Sequence, residues 1–205
     1  MIVQDIINAA RYSELGNTAI KDNTDAILTF MNLGLLELHK RFPLRVEQTV
    51  LTLSNTTTTF NLPSTFMYPL AAYGEDKDGN IDMEHVLPIN DESNPESIFF
   101  STFKQVQVPD TLDGSSAVIV FAAKPDRYTA DDLNIELDLP ETLIEPLLHY
   151  IGYKAQLGIR GDAQAENNAH WLRFDRSCKQ AQDLGVAYPM DSWKMATRIY
   201  NRGFA

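Results

Sequence analysis

The acidic run between residues 76 and 84 is the segment whose residue types come closest to forming a metal site. Carboxylate and amide oxygens alternate there, as they do in a calcium-binding EF-hand loop. If Gly79 takes the sixth position of such a loop, however, the first and twelfth ligand positions fall on Gly74 and His85, which do not supply the required carboxylates. Asp78-Gly79 is instead a strong turn signal. We therefore predict a hairpin turn with solvated acidic side chains, and metal binding by loop 76–82 stays open.

The histidines and the cysteine lack the spacing of a metal or catalytic site. No two of His39, His85, His149 and His170 have the i, i+4 spacing of a zinc-binding helix, and Cys178 is the single cysteine. His39 and His149 fall within predicted helices, where we expect them to be exposed or satisfied by packing. The sequence also has no nucleophile elbow, phosphate loop or dinucleotide fingerprint. We predict no catalytic residue, metal ligand or cofactor, and a protein that is not an enzyme.

The C-terminal segment 186–205 has the composition of a partner-binding segment. It carries four aromatic residues and three cations against one anion, so a tail of net charge +2 follows a body of −13 in a chain of −11. Aromatic and arginine side chains anchor protein interfaces because they bury large areas at low entropic cost. We predict an extended docking arm whose partner-binding residues are Trp193, Lys194, Arg198, Tyr200, Arg202 and Phe204. The alternative is a tail that folds back onto its own domain.

Apolar residues recur at helical spacing in two segments on each side of the chain's middle. The predicted stripes are Val3, Ile6, Ile7 and Ala10; Ile27, Phe30, Met31, Gly34, Leu35, Leu38 and Phe42; Leu143, Leu147, Ile151, Ala155 and Gly158; and Ala165, Ala169, Leu172, Cys178 and Ala181. Polar residues 22–24 offer an N-cap for the second helix, and Pro43 ends it. Asp162 can cap the fourth helix, and Gly185 ends it.

Period-two alternation and β-branched residues fill the middle of the chain. They predict strands near residues 46–54, 58–62, 66–73, 81–89, 97–108 and 117–123. Pro69 interrupts the third strand, which we therefore expect to bend or to lie at a sheet edge.

This order of elements predicts an α+β fold in three parts. Residues 1–44 and 139–185 form one helical bundle, because none of the four helices can bury its apolar face alone. Residues 45–138 form a β-rich insertion between the two helix pairs. Residues 186–205 form the C-terminal docking arm.

Composition narrows the class of protein further. A chain of 205 residues that is 44% hydrophobic and 22% charged can bury a substantial core. Its net charge of −11 argues against wrapping around nucleic acid, but not against lining a channel through which DNA slides. The first residues lack a signal-peptide pattern, and no apolar run is long enough to span a membrane. We therefore expect use in a cytoplasm-like compartment without membrane contact.

Several phrases of the sequence resemble a known family. They are the opening helix from Val3 to Ala10; the helix phrase Ile27-Leu28-x-Phe30-x-Asn32-x-Gly34-x-x-Glu37-Leu38, which ends at Arg41-Phe42-Pro43; the phrase Leu62-Pro63-Ser64-x-Phe66-x-x-Pro69-Leu70; and Leu139-Pro140-Glu141-x-Leu143. Together with the order of elements, they resemble the head-to-tail adaptor, or tail tubular, proteins of tailed bacteriophages. The motifs are packing and turn signatures without a catalytic fingerprint.

The resemblance implies a structural role in the virion. In that family a helical bundle with a β insertion forms a ring of twelve copies beneath the portal, joins capsid to tail and continues the DNA channel. It implies a portal protein and a tail or nozzle protein as partners, an arm that reaches onto the portal, and DNA that passes without sequence-specific binding. The protein would reside in the neck of a short-tailed phage particle after assembly in the host cytoplasm.

Two other classes stay open from the sequence. One is a tail-associated or scaffold-binding module that acts as a monomer or small oligomer. The other is an unrecognised hydrolase, which a bound metal or measurable turnover would favour.

Overall fold

The computed structural model describes residues 1–16, 18–53, 58–75, 81–102, 104–110, 112, 116–160 and 169–185. These residues form two compact units, one built from residues 1–42 and 125–185 and the other from residues 43–124. The described part of the first unit is helical, and that of the second is made of antiparallel strands. The predicted class is confirmed at this level: the described residues combine four α-helices with antiparallel sheets.

The first helix pair forms where the apolar spacing predicts it. Helix α1 spans Val3–Ser13 and helix α2 spans Thr24–Arg41. The Asn23 side chain accepts a hydrogen bond from the backbone N–H of Ala26, at 3.0 Å, which satisfies an otherwise unpaired donor at the start of α2. The buried residues of the two helices form one stripe each: Val3, Ile6, Ile7 and Ala10; and Ile27, Leu28, Met31, Gly34, Leu35, Leu38 and His39.

The second helix pair follows a 3-10 turn at Glu141–Leu143. Helix α3 spans Ile144–Arg160 and contacts each of the other three helices, and α4 spans Ala169–Asp183. The predicted stripe of α3 is buried at Leu143, Leu147, Ile151 and Ala155. Among the described residues, none of the helices combines the length and the apolar character that a membrane span requires.

The predicted face of α4 was partly wrong. Leu172 is 56% exposed and Ala169 is also exposed, whereas the buried residues are Phe174, Ser177, Cys178 and Ala181. The predicted stripe relied mainly on small residues, which indicate a buried face weakly, and it left out Phe174, which lies four and seven residues before Cys178 and Ala181. Phe174 is fully buried, and its ring packs against those of Tyr150 and Trp171, so this face of the helix turns inward.

The segment that precedes α3 is held against α1 and α2 by hydrogen bonds. The amides of Val3 and Gln4 donate to the carbonyls of Ile135 (3.0 Å) and Leu133 (2.9 Å). The Asn32 side chain makes a two-way pair with Tyr128, donating to its carbonyl at 2.8 Å and accepting from its amide at 2.9 Å. Residues 125–138 thus belong with the helical unit by contact.

The strands of the other unit form two antiparallel sheets. Their bounds are β1 Val46–Thr52, β2 Thr59–Asn61, β3 Phe66–Glu75, β4 Ile81–Val86, β5 Phe99–Thr102, β6 Gln105–Gln107 and β7 Ser116–Ala123. The first sheet has the order β1-β7-β3-β4, and the second has the order β2-β6-β5.

One strand prediction needs correction, and another is decided between its two alternatives. The segment predicted as one strand at 97–108 is a pair of antiparallel strands, β5 and β6. β3 lies inside its sheet rather than at an edge, and its pairing with β7 shifts register between Pro69 and Ala71. Pro69 has no N–H to pair within the sheet, and the register shift beside it accommodates this loss. This irregularity corresponds to the bend that we predicted as the alternative to an edge position.

Both sheets contribute to one hydrophobic core. β7 is buried on both faces, and Phe121 packs against Phe66 of β3 with ring centroids 5.3 Å apart. Phe66 also stacks on Phe100 of β5 at 5.5 Å, and Val106 of β6 is fully buried in the same cluster. The period-two pattern of β1 is confirmed, since every second residue from Val46 is exposed and Leu51 is buried.

Candidate functional site

The six predicted partner-binding residues, Trp193, Lys194, Arg198, Tyr200, Arg202 and Phe204, lie outside the described residues. The helix that leads to them is described. α4 ends at Asp183, and Gly185 takes a left-handed backbone conformation with φ 68°, which favours glycine and stops a helix. The predicted C-terminal stop is therefore confirmed, and the helix ends immediately before the predicted arm begins.

The acidic loop has the strand flanks of a hairpin. β3 and β4 pair antiparallel on either side of it, while residues 76–80 lie outside the described residues. The Asp82 carboxylate, in β4, accepts a hydrogen bond from the Glu84 amide at 2.8 Å. These flanks differ from the paired helices of an EF-hand, and the antiparallel strand pairing expected on either side of a hairpin is confirmed, while the predicted turn at Asp78-Gly79 lies outside the described residues.

The cysteine is a packing residue. Cys178 is 1% exposed, and burial raises the pKa of its thiol to about 11, although the neighbouring Arg41 acts in the opposite direction. A thiol with this pKa stays protonated near neutral pH and is a poor nucleophile. Its burial agrees with its place in the apolar stripe predicted for the fourth helix.

A polar cluster joins three helices of the helical unit. Glu14, directly after α1, places its two carboxylate oxygens 3.3 Å from Nδ1 of His149 in α3 and 2.7 Å from Nδ1 of His170 in α4. The three side chains are only 10–12% exposed, and the atoms Glu14 Oε2, His149 Nδ1 and His170 Nδ1 are inaccessible to solvent. In the described part of the chain this is the one group of three or more acidic, histidine or cysteine side chains with the proximity of metal ligands.

Two further polar residues, Glu145 and Gln156, and a glycine, Gly152, surround this cluster. Nε2 of His149 lies 3.4 Å from Glu145, and Nε2 of His170 lies 2.7 Å from the amide nitrogen of Gln156. A Cβ atom at Gly152 would lie 2.7 Å from His170 Nδ1 and 3.0 Å from Glu14 Oε2, closer than real contacts allow. Glycine at this position of α3 is therefore what lets the three groups converge.

The electrostatics of the cluster keep its carboxylate ionised. The hydrogen bond with His170 lowers the pKa of Glu14 below its ordinary value of 4.5, while burial opposes the shift. Coulombic interactions with His149, His170 and Arg173 also lower this pKa. The cluster therefore presents a buried carboxylate anion to two imidazole rings.

A second cluster connects α2 to α4. The Arg41 guanidinium donates to the Asp175 carboxylate at 2.9 Å and lies 4.5 Å from the ring centroid of Phe174 and 5.4 Å from that of Trp171. Burial raises the pKa of the adjacent Tyr150 to about 12, so its hydroxyl stays neutral. These contacts combine ion pairing with cation–π attraction and hold the helices together.

The β unit presents two accessible features. A pocket of about 280 Å³ is lined by Leu62, Pro63 and Phe66 together with Lys104 and Lys124. β1 is at the edge of its sheet, and Val46 and Val50 on its outer face are 40% and 55% exposed. Exposed edges and apolar side chains are available for protein contacts.

Sequence reasoning missed the Glu14–His149–His170 cluster. Its members lie on three separate helical segments, so no local spacing indicates it. The available signal was indirect: glycine at position 152, in a helix whose apolar stripe would favour a larger residue. Only the packing of α1 and α4 against α3 brings the three side chains together.

The chain belongs to the SU10 adaptor protein family, whose model matches residues 1–196. The resemblance to phage adaptor proteins is thereby confirmed. No curated protein matches the chain. Among solved structures, a chain in the neck of an empty GTA particle, computed with C6 symmetry, is 14% identical, with 86% of this chain and 88% of that chain covered and a TM-score of 0.30. A TM-score this low does not transfer the arrangement of elements from one chain to the other.

Proposed function

We propose that this protein is a structural adaptor in the neck of a short-tailed bacteriophage, where it joins the capsid to the tail. The observation that carries this proposal is the match of the adaptor family model to residues 1–196. Three residues of the family phrases serve helix packing in the described structure. Asn32 pairs with Tyr128, Gly34 allows close contact with α3, and Arg41 forms an ion pair with Asp175. The protein works by joining and not by catalysis.

The proposed assembly is a ring of twelve copies beneath the portal, with the helices of each copy acting as one bundle. Such a ring continues the channel through which DNA leaves the capsid. A net charge of −11 suits a channel wall that must not hold its cargo, because like charges repel phosphates. DNA passes without sequence-specific binding, and the adaptor resides in the virion neck after assembly in the host cytoplasm.

The proposed portal contact is the arm of residues 186–205, with Trp193, Lys194, Arg198, Tyr200, Arg202 and Phe204 as its anchors. Its support is compositional and positional: aromatic and cationic residues follow directly after α4 stops at Gly185. Ordering a flexible segment on binding costs several kcal/mol, about 2–5 or more, and buried aromatic side chains can offset that cost. The β unit, with its exposed β1 edge, is proposed to face a tail or nozzle protein.

Mass measurement tests this assembly. The purified full chain is measured by native mass spectrometry alone and after mixing with the portal protein of the same phage. We expect a complex with about twelve adaptor copies per portal ring. A complex with one or a few copies would favour the smaller binding module, and no association with portal at any ratio would contradict the proposal.

A further inference from the structure

The Glu14–His149–His170 cluster has the chemistry and geometry of a metal-binding site. Two imidazole rings, which are borderline ligands, together with one carboxylate form a ligand set that suits Zn²⁺ and related divalent transition ions, whereas Ca²⁺ and Mg²⁺ prefer oxygen ligands alone. The three ligand atoms lie within 4.8 Å of one another. We propose that Glu14, His149 and His170 bind one Zn²⁺-class divalent ion, which ties α1, α3 and α4 together.

Two distances, one from each carboxylate oxygen of Glu14, lie near those of a zinc site, and the ligand atoms of the two imidazole rings are within 4.8 Å of each other. In tetrahedral zinc sites with bonds of about 2.0–2.1 Å, neighbouring ligand atoms are roughly 3.3 Å apart. Glu14 and His149 already have this separation, at 3.3 Å. The other carboxylate oxygen, Glu14 Oε2, lies 2.7 Å from His170 Nδ1, which is shorter than the spacing of two ligands on one ion, so binding would move these two atoms apart by about half an ångström. Three protein ligands leave the fourth position for water.

The surrounding groups are those that metal-bound histidines use. A ligating imidazole usually donates its second N–H to a carboxylate or carbonyl oxygen, which orients the ring. Glu145 lies 3.4 Å from Nε2 of His149, and Gln156 lies 2.7 Å from Nε2 of His170. If the ring proton of His170 moves from Nδ1 to Nε2, a flip of the Gln156 amide presents its oxygen to that proton.

Gly152 keeps a further side chain out of the cluster, and Glu145 lies between the cluster and the surface. Any side chain at position 152 would press on His170 Nδ1 and Glu14 Oε2, because its Cβ atom would lie 2.7 and 3.0 Å from them. Glycine inside a helix lowers its stability by about 1 kcal/mol relative to alanine. Helix α3 therefore carries a destabilising residue at the position where a larger one would contact the cluster. Glu145 is 72% exposed, which places the cluster one side chain below the surface.

The first test is metal binding by the full chain. After treatment with a chelator, the protein is incubated with ZnCl₂, CoCl₂ or CaCl₂ and its metal content and melting temperature are measured. We expect one zinc per chain, a tetrahedral Co²⁺ absorption spectrum, and a melting temperature raised by roughly 5–10 °C when free zinc is about 100 times the dissociation constant. Absence of retained zinc, or an equal response to Ca²⁺, would overturn the proposal.

The second test assigns the site to these residues. Glu14→Gln, His149→Asn and His170→Asn are compared with His85→Asn, a control that removes an exposed histidine 3.8 Å from a glutamate in the β unit. Folding of each variant is first checked by circular dichroism without metal. Each ligand variant should bind zinc at least about 100-fold more weakly, because even the loss of an outer-shell partner lowers metal affinity by about 10- to 100-fold. The control should bind zinc like the wild type.

A variant at the surface keeps the test decisive if a ligand variant does not fold. Glu145→Gln removes an exposed carboxylate and is expected to leave the melting temperature of the metal-free protein unchanged. It should weaken zinc binding by about 10-fold, the lower end of the outer-shell range. Zinc affinity that is unchanged in Glu145→Gln and in every folded ligand variant would refute the site, whatever the outcome of portal binding.

Discussion

At the scale of single residues, Arg41 shows how a residue of the family phrase Arg41-Phe42-Pro43 contributes to helix packing. Its guanidinium pairs with Asp175 and lies over the rings of Phe174 and Trp171. One side chain of α2 thus contacts three residues of α4 and holds the two helices together. The aliphatic part of an arginine also covers apolar surface, and its loss removes packing as well as charge. The residue is therefore a structural link within the helical unit.

We expect Arg41→Ala to lower the free energy of unfolding by about 1–2 kcal/mol, because it removes a charge-assisted hydrogen bond and two cation–π contacts. Urea denaturation followed by circular dichroism measures the change. Lys40→Ala is the matched control, since Lys40 is 55% exposed and pairs only with Glu37 among the ion pairs of the described residues. That control should change stability by less than about 0.5 kcal/mol. Equal effects of the two substitutions would contradict the proposed role of Arg41.

The stability that Asp175 contributes to the folded protein should depend on pH in the acid range. Hydrogen bonds first from Lys179 and then from Arg41 lower its pKa below the ordinary 3.8. A carboxyl whose pKa is depressed by folding adds stability above its unfolded pKa, and this contribution disappears as the pH falls through the folded pKa. Asp175→Asn should thus be less stable than the wild type at neutral pH, and the difference should shrink below the ordinary pKa of 3.8. Thermal melts from neutral to strongly acidic pH measure it, and a difference that stays constant would show that these ion pairs add no stability.

At the scale of elements, the close approach of α2 and α3 depends on Gly34. A Cβ atom there would lie 2.6 Å from Leu147 Cδ1 and 3.1 Å from the ring of Tyr150. Leu147 is fully buried, so its terminal methyl group has little room to move away. Overpacking of this kind costs about 1–3 kcal/mol and outweighs the better helix propensity of alanine.

Gly34→Ala should therefore reduce the free energy of unfolding by about 1–2 kcal/mol in denaturant titrations. Gly16→Ala is the control, because the nearest atom to a Cβ there is the Tyr12 carbonyl oxygen, at 3.8 Å. The control should stay within about 0.5 kcal/mol of the wild type, as surface substitutions usually do. A stabilised Gly34→Ala variant would mean that the helices are not as close as described.

The elements themselves were largely predictable from local pattern. Strong periodicity, the Asn23 cap and the stop before Pro43 predicted α2, and the Asp-Gly turn signal in the sequence predicted antiparallel strands where β3 and β4 pair. The face of α4 was less predictable because Phe174 outweighs the small residues that suggested another face. Sheet order was not predictable, since β1 pairs with β7, which lies far along the chain, and no local signal specifies that partner.

The polar cluster was not predictable for a related reason. Glu14, His149 and His170 are each ordinary helical or helix-terminal residues in the sequence, and their proximity arises only from the packing of three helices. Local spacing reveals sites whose ligands share a loop or a helix face. It does not reveal sites whose ligands are assembled by tertiary contacts between distant segments.

At the scale of the whole molecule, the chain divides into a folded body and an arm proposed to bind elsewhere. The body consists of the helical unit and the β unit, each with a hydrophobic core. The arm carries net charge +2 after a body of −13, and its proposed anchors are aromatic and cationic. Its proposed task is to hold a neighbouring protein and not to complete the body.

Deletion of residues 187–205 should leave the body folded and abolish binding to portal. The melting temperature of the shortened chain should stay within a few degrees of the full chain, because the described residues of each unit already bury a hydrophobic core. A full chain with Trp193, Tyr200 and Phe204 changed to alanine is the matched variant and should also lose binding. Full portal affinity in the shortened chain would rule out the arm as the portal anchor.

An electron cryo-microscopy structure of the adaptor bound to its portal tests the proposed joining role most directly. We predict a ring of adaptor copies in which residues 186–205 of each copy extend onto the portal and bury Trp193, Tyr200 and Phe204 there. A structure in which each arm packs against its own subunit, with no contact to the portal, would contradict the proposal.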